Sequence, residues 1–319
     1  MKHEPVAHAV DERSIGRLPS GIEITVPVHR YAGGSGPTVH VQAVQHGIEL
    51  NGPAALRRLH ERLLGAEIAG TVVVVPVVNP LAFDHRSYAT PTAYDARNPN
   101  LNRVWPGDDA GSLQERMAAD LWELVRAADA VVDLHTGNPD MLEHVRYHEG
   151  DDDGRALAEA FGTRHLLADD DGDAVADESF SGRLRTAASR VGIPAITAEL
   201  ENSRRVERES AERGVDGLEN VLRSLDVLAA SAIDHPPATT LRDGVPYTVA
   251  DASGLYERAP GVDVGDHVSE GEVIGRIYDP TAFEVLDTVT AAGSGVAYSL
   301  RRGSVAVAGE RLAALARPV

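Results

Sequence analysis

Apolar runs alternate with amphipathic segments along the first two thirds of the chain. The pattern predicts strands at 21–28, 38–45, 71–78, 130–134 and 193–200, and helices at 52–64, 112–128, 155–161, 180–190 and 218–230. Segment 71–78 is a nearly continuous β-branched run, as expected of a strand that is covered on both faces. Strands that alternate with helices in this way predict an α/β fold with a mainly parallel sheet.

The last third of the chain has a different pattern. Pro236 and Pro237 are typical of a linker, and no helical pattern follows beyond Leu241. Short strand-like runs alternate there with glycine-centred turns, which predicts a small all-β, barrel-like module. We therefore predict two domains, an α/β domain at 1–236 and a β-module at 237–319.

The composition is that of a globular protein with an acidic surface. Of the 319 residues, 43% are hydrophobic and 25% are charged, and the formal net charge is −19. The sequence has no basic run that could form a nucleic-acid-binding face, so a nucleic-acid partner is not expected. We interpret acidic runs such as 151–153 and 169–171 as a solvated surface suited to high intracellular salt, rather than as specific cation sites.

The sequence also limits the cofactors and the location. Because the chain has no cysteine, disulfides, thiolate metal ligands and a cysteine nucleophile are excluded, and a metal site must use His, Asp or Glu. Residues 1–20 lack the apolar segment of a signal peptide, and the longest apolar run, 72–78, is too short to cross a bilayer. We expect a soluble, cytoplasmic protein without a membrane partner.

Three potential metal ligands follow the ends of two predicted strands. His46 and Glu49 come after strand 38–45, and His135 comes after strand 130–134. In an open parallel sheet, ligands bind outside the carboxyl ends of the strands, where these side chains can meet. Two histidines and one glutamate leave a fourth position for water, which is the pattern of a catalytic zinc site. The sequence therefore predicts one zinc ion (Zn²⁺) per chain.

Other polar residues near these strands could take part. Asp133 lies two residues before His135, where it could orient a ligand histidine or form a core hydrogen bond. Five further histidines are interpreted as surface residues or as residues around the metal ligands: His40, His85, His144, His148 and His165.

Four segments give the chain a family resemblance. They are HGIELNG at 46–52, NP at 79–80 followed by NLNRVWPG at 100–107, DLHT at 133–136, and GIPAITAEL at 192–200. In this order they resemble the succinylglutamate desuccinylase/aspartoacylase family, a relative of the zinc carboxypeptidases. The resemblance extends to the C-terminal module and so covers most of the chain. It implies a zinc-carboxypeptidase-like α/β domain, with a mixed twisted sheet and flanking helices.

The resemblance also implies roles for individual residues. The zinc would be bound by His46, Glu49 and His135. Glu199 would be the general base and acid that moves the proton of the attacking water. Its rival is Glu201, two residues on and on the same face of the predicted strand.

The resemblance also implies which residues recognise the substrate. Asn102 and Arg103 would hold a substrate carboxylate, because the planar guanidinium matches that group. An arginine before this pair would stabilise the charge that develops on the carbonyl oxygen. Arg86 and Arg97 are both candidates, and we prefer Arg86. Glu201 stands where relatives often have glycine, so it would lie near the pocket and disfavour a second negative charge on the substrate.

Together these expectations predict a zinc-dependent amidohydrolase. Its substrate would be a small N-acylated amino acid or a similar amide that bears a carboxylate. The alternative is a zinc carboxypeptidase that acts on peptides. A third hypothesis, a metal-binding protein that has lost catalysis, is disfavoured because the three ligands and Glu199 are all present.

The C-terminal module has a resemblance of its own. Residues 259–277 and 291–312 resemble the two halves of a biotinyl or lipoyl barrel, but the module contains no lysine to which such a cofactor could be attached. We therefore exclude a carrier role. The module is expected to cover part of the active-site mouth, to support a homo-oligomer, or only to stabilise the protein.

Overall fold

The computed structural model describes residues 1–137, 140–169 and 182–319. Its strands are β1 (Glu4–Pro5), β2 (Ala7–Arg17), β3 (Glu23–Ala32), β4 (Gly34–Ala43), β5 (Glu67–Val75), β6 (Ala130–Gly137), β7 (His144–His148), β8 (His165–Asp169), β9 (Ala195–Asn202), β10 (Thr239–Arg242), β11 (Thr248–Val249), β12 (Gly254–Arg258), β13 (His267–Val268), β14 (Val273–Tyr278), β15 (Val285–Thr290), β16 (Gly295–Leu300), β17 (Ser304–Ala306) and β18 (Arg311–Pro318). Its helices are α1 (Asn51–Leu64), α2 (Pro80–His85), α3 (Leu113–Val125), α4 (Asp152–Phe161), α5 (Leu184–Arg190) and α6 (Arg208–Ser224), with a 3-10 turn at Leu101–Arg103.

One long mixed sheet organises the fold, in the order β13-β16-β18-β10-β8-β7-β9-β6-β4-β5-β3-β2. Its centre is parallel, since β5, β4, β6 and β9 all run in the same direction. Towards both ends the pairing becomes mixed, as at β7 against β9 and β3 against β5. Every residue of β6 is buried, as expected of a central strand with helices on both faces.

Two apolar cores cover the two faces of the sheet. One packs α1, α4 and α6 against the strands, through residues such as Leu59 and Leu218. The other packs α3 and α5 against the opposite face, through residues such as Met117 and Leu184. The helices therefore hold the strand ends of the parallel centre in fixed positions, and the polar residues predicted to bind metal lie at these ends.

The predicted fold class is confirmed, whereas some predicted boundaries are wrong. The last long helix, predicted at 218–230, is α6 and spans Arg208–Ser224. Its first half faces the sheet with the small residues Ala211 and Gly214, which give little apolar periodicity, and the chain turns at Asp226 with φ 57°. Of the helix predicted at 180–190, residues 180 and 181 lie outside the described residues.

The N-terminal hairpin of β2 and β3 extends well beyond the predicted strand at 21–28. Strand β2 was not predicted, because it lies at the edge of the sheet and most of its residues are exposed. Within the described residues, no helix is both long and apolar enough to cross a membrane.

The C-terminal module is a small β-structure, as predicted, and in the described chain no helix follows α6. Strands β15-β14-β12-β17 form a separate antiparallel sheet with its own apolar core. Strand β10, however, pairs in parallel with β8 and antiparallel with β18. The long sheet thus continues across the predicted boundary between 236 and 237, and the two-domain division stays a prediction.

Gly52, in the first turn of α1, should not tolerate a side chain. A Cβ at this position would lie 3.0 Å from the Cβ of Ala43 and 3.1 Å from the Cβ of Leu134, and neither atom can rotate away. Alanine gains about 1 kcal/mol of helix propensity over glycine, but overpacking a core costs about 1–3 kcal/mol. We expect Gly52→Ala to lower the free energy of unfolding, measured by urea denaturation.

Gly65→Ala, at the end of the same helix, is the matched control. Gly65 has φ −99°, and the nearest described atom to a Cβ there would be the backbone oxygen of Arg62 at 4.0 Å. This variant should be as stable as the parent or more so. Equal destabilisation by both substitutions would contradict the steric explanation.

Candidate metal centre and active-site cleft

The backbone after β4 turns sharply and brings two of the predicted ligands together. Val44 adopts φ 65°, a left-handed conformation that is strained for a β-branched residue. The Glu49 backbone N–H then donates to the His46 carbonyl at 3.2 Å, which closes the turn. Gly47 is needed inside it, because a Cβ there would lie 2.0 Å from the backbone oxygen of Ala82.

His46, Glu49 and His135 form one buried cluster, as the sequence predicts. Nδ1 of His46 lies 2.7 Å from Glu49 Oε1, and Nδ1 of His135 lies 3.0 Å from Glu49 Oε2. Each residue is 3% exposed, and one ligand atom from each lies within 4.8 Å of the others. The parallel pairing of β4 with β6 places the two strand ends side by side and so joins residues that are 86–89 positions apart in the chain.

The hydrogen-bond partners of the two Nε2 atoms determine the tautomers of His46 and His135. Nε2 of His135 lies 2.8 Å from Asp133 Oδ2, and Nε2 of His46 lies 3.1 Å from Asn100 Oδ1. A carboxylate oxygen and an amide oxygen only accept hydrogen bonds, so both Nε2 atoms donate. In the neutral rings both Nδ1 lone pairs then point to the centre of the cluster, as metal binding requires.

Asp133 combines the two roles that the sequence left open. It is a buried hydrogen-bond acceptor, and it orients His135. Gln45 donates to it at 2.6 Å and Gln42 at 3.2 Å. The indole N–H of Trp105 donates in turn to Gln45 Oε1 at 2.7 Å, which explains why the NLNRVWPG segment accompanies the ligand histidines.

Asn79 performs a similar supporting task. Its Nδ2 donates to the backbone oxygen of Gln45 at 3.0 Å, next to His46. Its Oδ1 accepts from the Ala82 N–H at 3.2 Å and from the Thr90 hydroxyl at 3.0 Å, and so caps α2. The side chain therefore ties the metal-ligand turn to the segment that follows β5.

The electrostatics of the cluster suit a divalent cation. Burial would raise the pKa of Glu49, but the imidazoles of His46 and His135 lower it to about 2. Burial also opposes protonation of His135, yet Asp133 and Glu49 raise its pKa well above the ordinary value. The cluster thus attracts positive charge, and two imidazole nitrogens with one carboxylate are a donor set that zinc accepts.

Glu199 projects into the same cleft from β9. It pairs in register with His135 on β6, and its Oε2 atom is shielded from solvent and has no hydrogen-bond partner among the described residues. Burial raises the pKa of Glu199, while the neighbouring His135 acts in the opposite direction. A carboxylate with a raised pKa beside a metal centre is suited to proton transfer.

Glu201 lies elsewhere, contrary to the prediction that it shares a strand face with Glu199. Its φ of 55° breaks the alternation of β9. Its carboxylate accepts hydrogen bonds from Ser210 and Arg213 and is not among the residues that line the cleft. The expected repulsion between Glu201 and a second negative charge on the substrate is therefore not supported by this geometry.

The cluster opens into a polar cleft with about 850 Å³ of empty space, part of which is open to solvent. The predicted pair Asn102 and Arg103 lines this cleft. Asn102 Oδ1 accepts from the Leu184 N–H at 3.1 Å, and Arg103 donates to the Asn102 carbonyl at 2.7 Å. The C-terminal module also contributes to the wall, through Asp243, Tyr247, Tyr298, Ser299 and Arg311, and so covers part of the mouth.

Arg86 and Arg97 are both described, and neither is among the residues that line the cleft. Arg86 is exposed and ends α2 in a left-handed conformation with φ 52°. Arg97 is exposed as well, in a turn where its backbone N–H donates to Asp95 Oδ1 at 3.0 Å. The structure does not bring either side chain to the metal ligands, and their roles stay predictions.

Sequence reasoning missed the ion pairs in the wall of the cleft. Arg146 lies between Asp169 at 2.8 Å and Asp243 at 3.0 Å, and Arg185 contacts Asp169 and donates to Thr197. The expectation that Asp169 belongs to a solvated acidic surface is therefore wrong. No local signal identifies its place, because Arg185 and Arg146 lie 16 and 23 positions away in the chain.

The other acidic run and the other histidines also have specific places. Asp151 caps α4 by accepting from the Gly154 N–H at 2.8 Å, whereas 170 and 171 lie outside the described residues.

Among the five further histidines, His85 is exposed, His165 is half-buried and the other three are buried. His40 donates to Gln42 at 3.1 Å and so belongs to the network around Asp133.

Comparisons with known proteins identify the family of the chain. Residues 35–225 match the model of the succinylglutamate desuccinylase/aspartoacylase catalytic domain. The chain is 31% identical over 271 residues to the N-alpha-acetyl-L-2,4-diaminobutyric acid deacetylase of Halomonas elongata, which covers 81% of this chain and 75% of that protein. The chain therefore belongs to the succinylglutamate desuccinylase/aspartoacylase family, whose members are amide-hydrolysing deacylases.

Solved structures share the fold over nearly the whole chain. An aspartoacylase family protein from Mesorhizobium loti superposes with a TM-score of 0.80 at 25% identity, covering 98% of this chain and 95% of that one. The product-bound ectoine utilization protein EutE (DoeB) from Ruegeria pomeroyi gives a TM-score of 0.83 at 22% identity, covering 99% and 100%. The resemblance inferred from the four segments is thereby confirmed.

Asp133→Asn should weaken metal binding without removing a ligand. The amide can still accept from His135, but it lacks the negative charge that makes the imidazole a better donor to metal. Loss of such an outer partner typically lowers metal affinity about 10–100-fold. The measurement is competition for Zn²⁺ against a chelator.

Asp129→Asn is the control for this experiment. Asp129 precedes the same strand and accepts from the Thr38 N–H at 2.8 Å, but it is exposed and does not contact the cluster. Its zinc affinity should equal that of the parent. An unchanged affinity in Asp133→Asn would refute the orienting role.

Proposed function

We propose that this protein is a zinc-dependent deacylase that hydrolyses the amide bond of a small N-acylated amino acid. The observation that carries the proposal is the buried cluster of His46, Glu49 and His135, with the unpartnered Glu199 oxygen in the same cleft. Membership in the family and the similarity to a deacetylase support the reaction type.

The metal-binding cluster and Glu199 have different roles in the proposed reaction. A zinc ion held by His46, Glu49 and His135 would polarise an amide carbonyl and make a neighbouring water more acidic. Glu199 accepts the proton of the attacking water and delivers it to the leaving nitrogen. Burial raises the pKa of Glu199, which helps this carboxylate to hold the proton between the two transfers.

Arg103 is the best anchor for a substrate carboxylate. Arg146 and Arg185 form ion pairs with Asp169 and Asp243, so their charges are already compensated within the wall of the cleft. Arg103, by contrast, forms no salt bridge with the described residues and is exposed at the cleft. Its guanidinium can form a bidentate pair with a carboxylate, next to Asn102.

The covered mouth favours a small substrate over a peptide. Five residues of the C-terminal module line the cleft, and this wall limits the length of chain that could extend from the reacting amide. The printed activity of the Halomonas elongata relative concerns an acetylated diamino acid, so N-acetylated amino acids are the first compounds to screen. Peptides with a free C-terminus test the carboxypeptidase alternative in the same assay.

We also propose that the enzyme works in the cytoplasm, alone or as a homo-oligomer, with an acidic surface adapted to high salt. The net charge of −19 supports the last point, because salt screens repulsion between surface carboxylates. The screen should therefore be run at low and at molar salt.

Glu199→Gln should abolish most of the activity and leave zinc binding intact. The amide is nearly isosteric with the carboxylate but cannot accept a proton, and general base catalysis typically contributes about 10²–10⁴-fold. The measurement is kcat on the best N-acetyl amino acid, with zinc content determined in parallel.

Glu201→Gln is the matched control, because its carboxylate is bound by Ser210 and Arg213 outside the cleft. It should keep the kcat of the parent. If Glu199→Gln retains full hydrolysis while Glu201→Gln loses it, the assignment of the base is wrong.

Arg103→Ala should raise KM far more than it lowers kcat. A charged hydrogen bond contributes about 1.5–3 kcal/mol, and each 1.4 kcal/mol is about tenfold in affinity, so we expect KM to rise roughly 10–100-fold. Arg126→Ala removes an exposed arginine outside the cleft and should leave both constants unchanged. Arg86→Ala and Arg97→Ala test the two candidates for the oxyanion role, which requires a large fall in kcat.

A further inference from the structure

Three histidines from three different elements meet at the edge of the long sheet, remote from the cleft. In the β2–β3 pairing His8 lies opposite Tyr31 and Val10 lies opposite His29, so His8, His29 and Tyr31 share one face. Helix α1 crosses this face and adds His60. Nε2 of His8 lies 3.1 Å from Nδ1 of His29, and one nitrogen from each of the three rings lies within 4.8 Å of the others.

The surroundings hold these rings in place. The ring of Tyr31 stacks on His8 with centroids 4.6 Å apart. The Tyr31 hydroxyl lies 2.6 Å from Nδ1 of His60 and fixes the orientation of that ring, as partners of metal-binding histidines commonly do. All three histidines are half-buried, so an ion can enter and water can complete its coordination.

The donor atoms of the cluster suit a metal ion. Imidazole binds metal through a ring nitrogen in its neutral form, and one ring nitrogen from each of the three histidines is available here. The hydrogen bond between His8 and His29 joins only two of the three rings. A metal ion accepts a lone pair from all three rings at once.

We propose that His8, His29 and His60 form a second divalent metal site, which takes an ion that imidazole binds well, such as Zn²⁺, Ni²⁺ or Cu²⁺. The site is structural, because it joins the N-terminal hairpin to α1. His60 lies nine residues, or about 14 Å, after Asn51, the first residue of α1. His46 and Glu49 precede this helix and His135 lies in β6, so the two sites share no ligand. This inference does not depend on the proposed reaction.

The test is a zinc titration of the full-length protein after removal of metal by a chelator, followed by calorimetry and metal analysis. The parent should bind two equivalents tightly. His29→Ala and His8→Ala should each bind one, His46→Ala should also bind one, and the double variant His29→Ala/His46→Ala should bind none. His267→Ala, an exposed histidine in β13, is the control and should bind two.

A second readout separates this site from the catalytic one. In the parent, the second equivalent of zinc should raise Tm, since a ligand that binds only the folded state stabilises it. In His29→Ala this rise should be lost, while hydrolysis with one equivalent should match the parent. A single equivalent in the parent that is lost in His46→Ala would overturn the proposal. Two equivalents in both His29→Ala and His8→Ala, with folding verified by circular dichroism, would also overturn it.

Discussion

The carboxylate of Glu49, held between the Nδ1 atoms of His46 and His135, is the interaction on which the whole site depends. A buried charge is tolerated only when it is compensated, and the Glu49 carboxylate has an imidazole on each side. Removing either histidine would take away one of these two contacts, and removing Glu49 would take the shared partner from both rings, even before metal binding is considered. The strained backbone at Val44 belongs to the same constraint, because it sets the turn that presents two of these groups.

The motifs of the family gain a physical meaning from this arrangement. Several of their residues lie outside the cluster of His46, Glu49 and His135 and hold its members in place. Asn100 and Asp133 accept hydrogen bonds from the two histidines, and Trp105 donates to the glutamine that donates to Asp133. The order of the cluster thus depends on polar side chains around it.

Sequence reasoning succeeded where regular sheet geometry brings distant residues together, and it failed where irregular backbone or long-range packing does so. The cluster of His46, Glu49 and His135 could be predicted because its members lie at the carboxyl ends of two neighbouring strands, where sheet geometry brings them together. Glu199 and Glu201 could not be separated by spacing, since the positive φ at Glu201 breaks the period of two. The pairing of Arg146 with Asp169 and Asp243 and the meeting of His8, His29 and His60 join distant segments, and no local pattern encodes them.

Strand β10 lies hydrogen-bonded between β8 of the α/β part and β18 of the C-terminal module. A chain that stopped before β10 would leave β8 as a bare sheet edge, open to pairing with other molecules. It would also lack the wall that Tyr298 and Arg311 provide. The module is therefore not an interchangeable accessory: recombination or engineering within this family has to move both parts together.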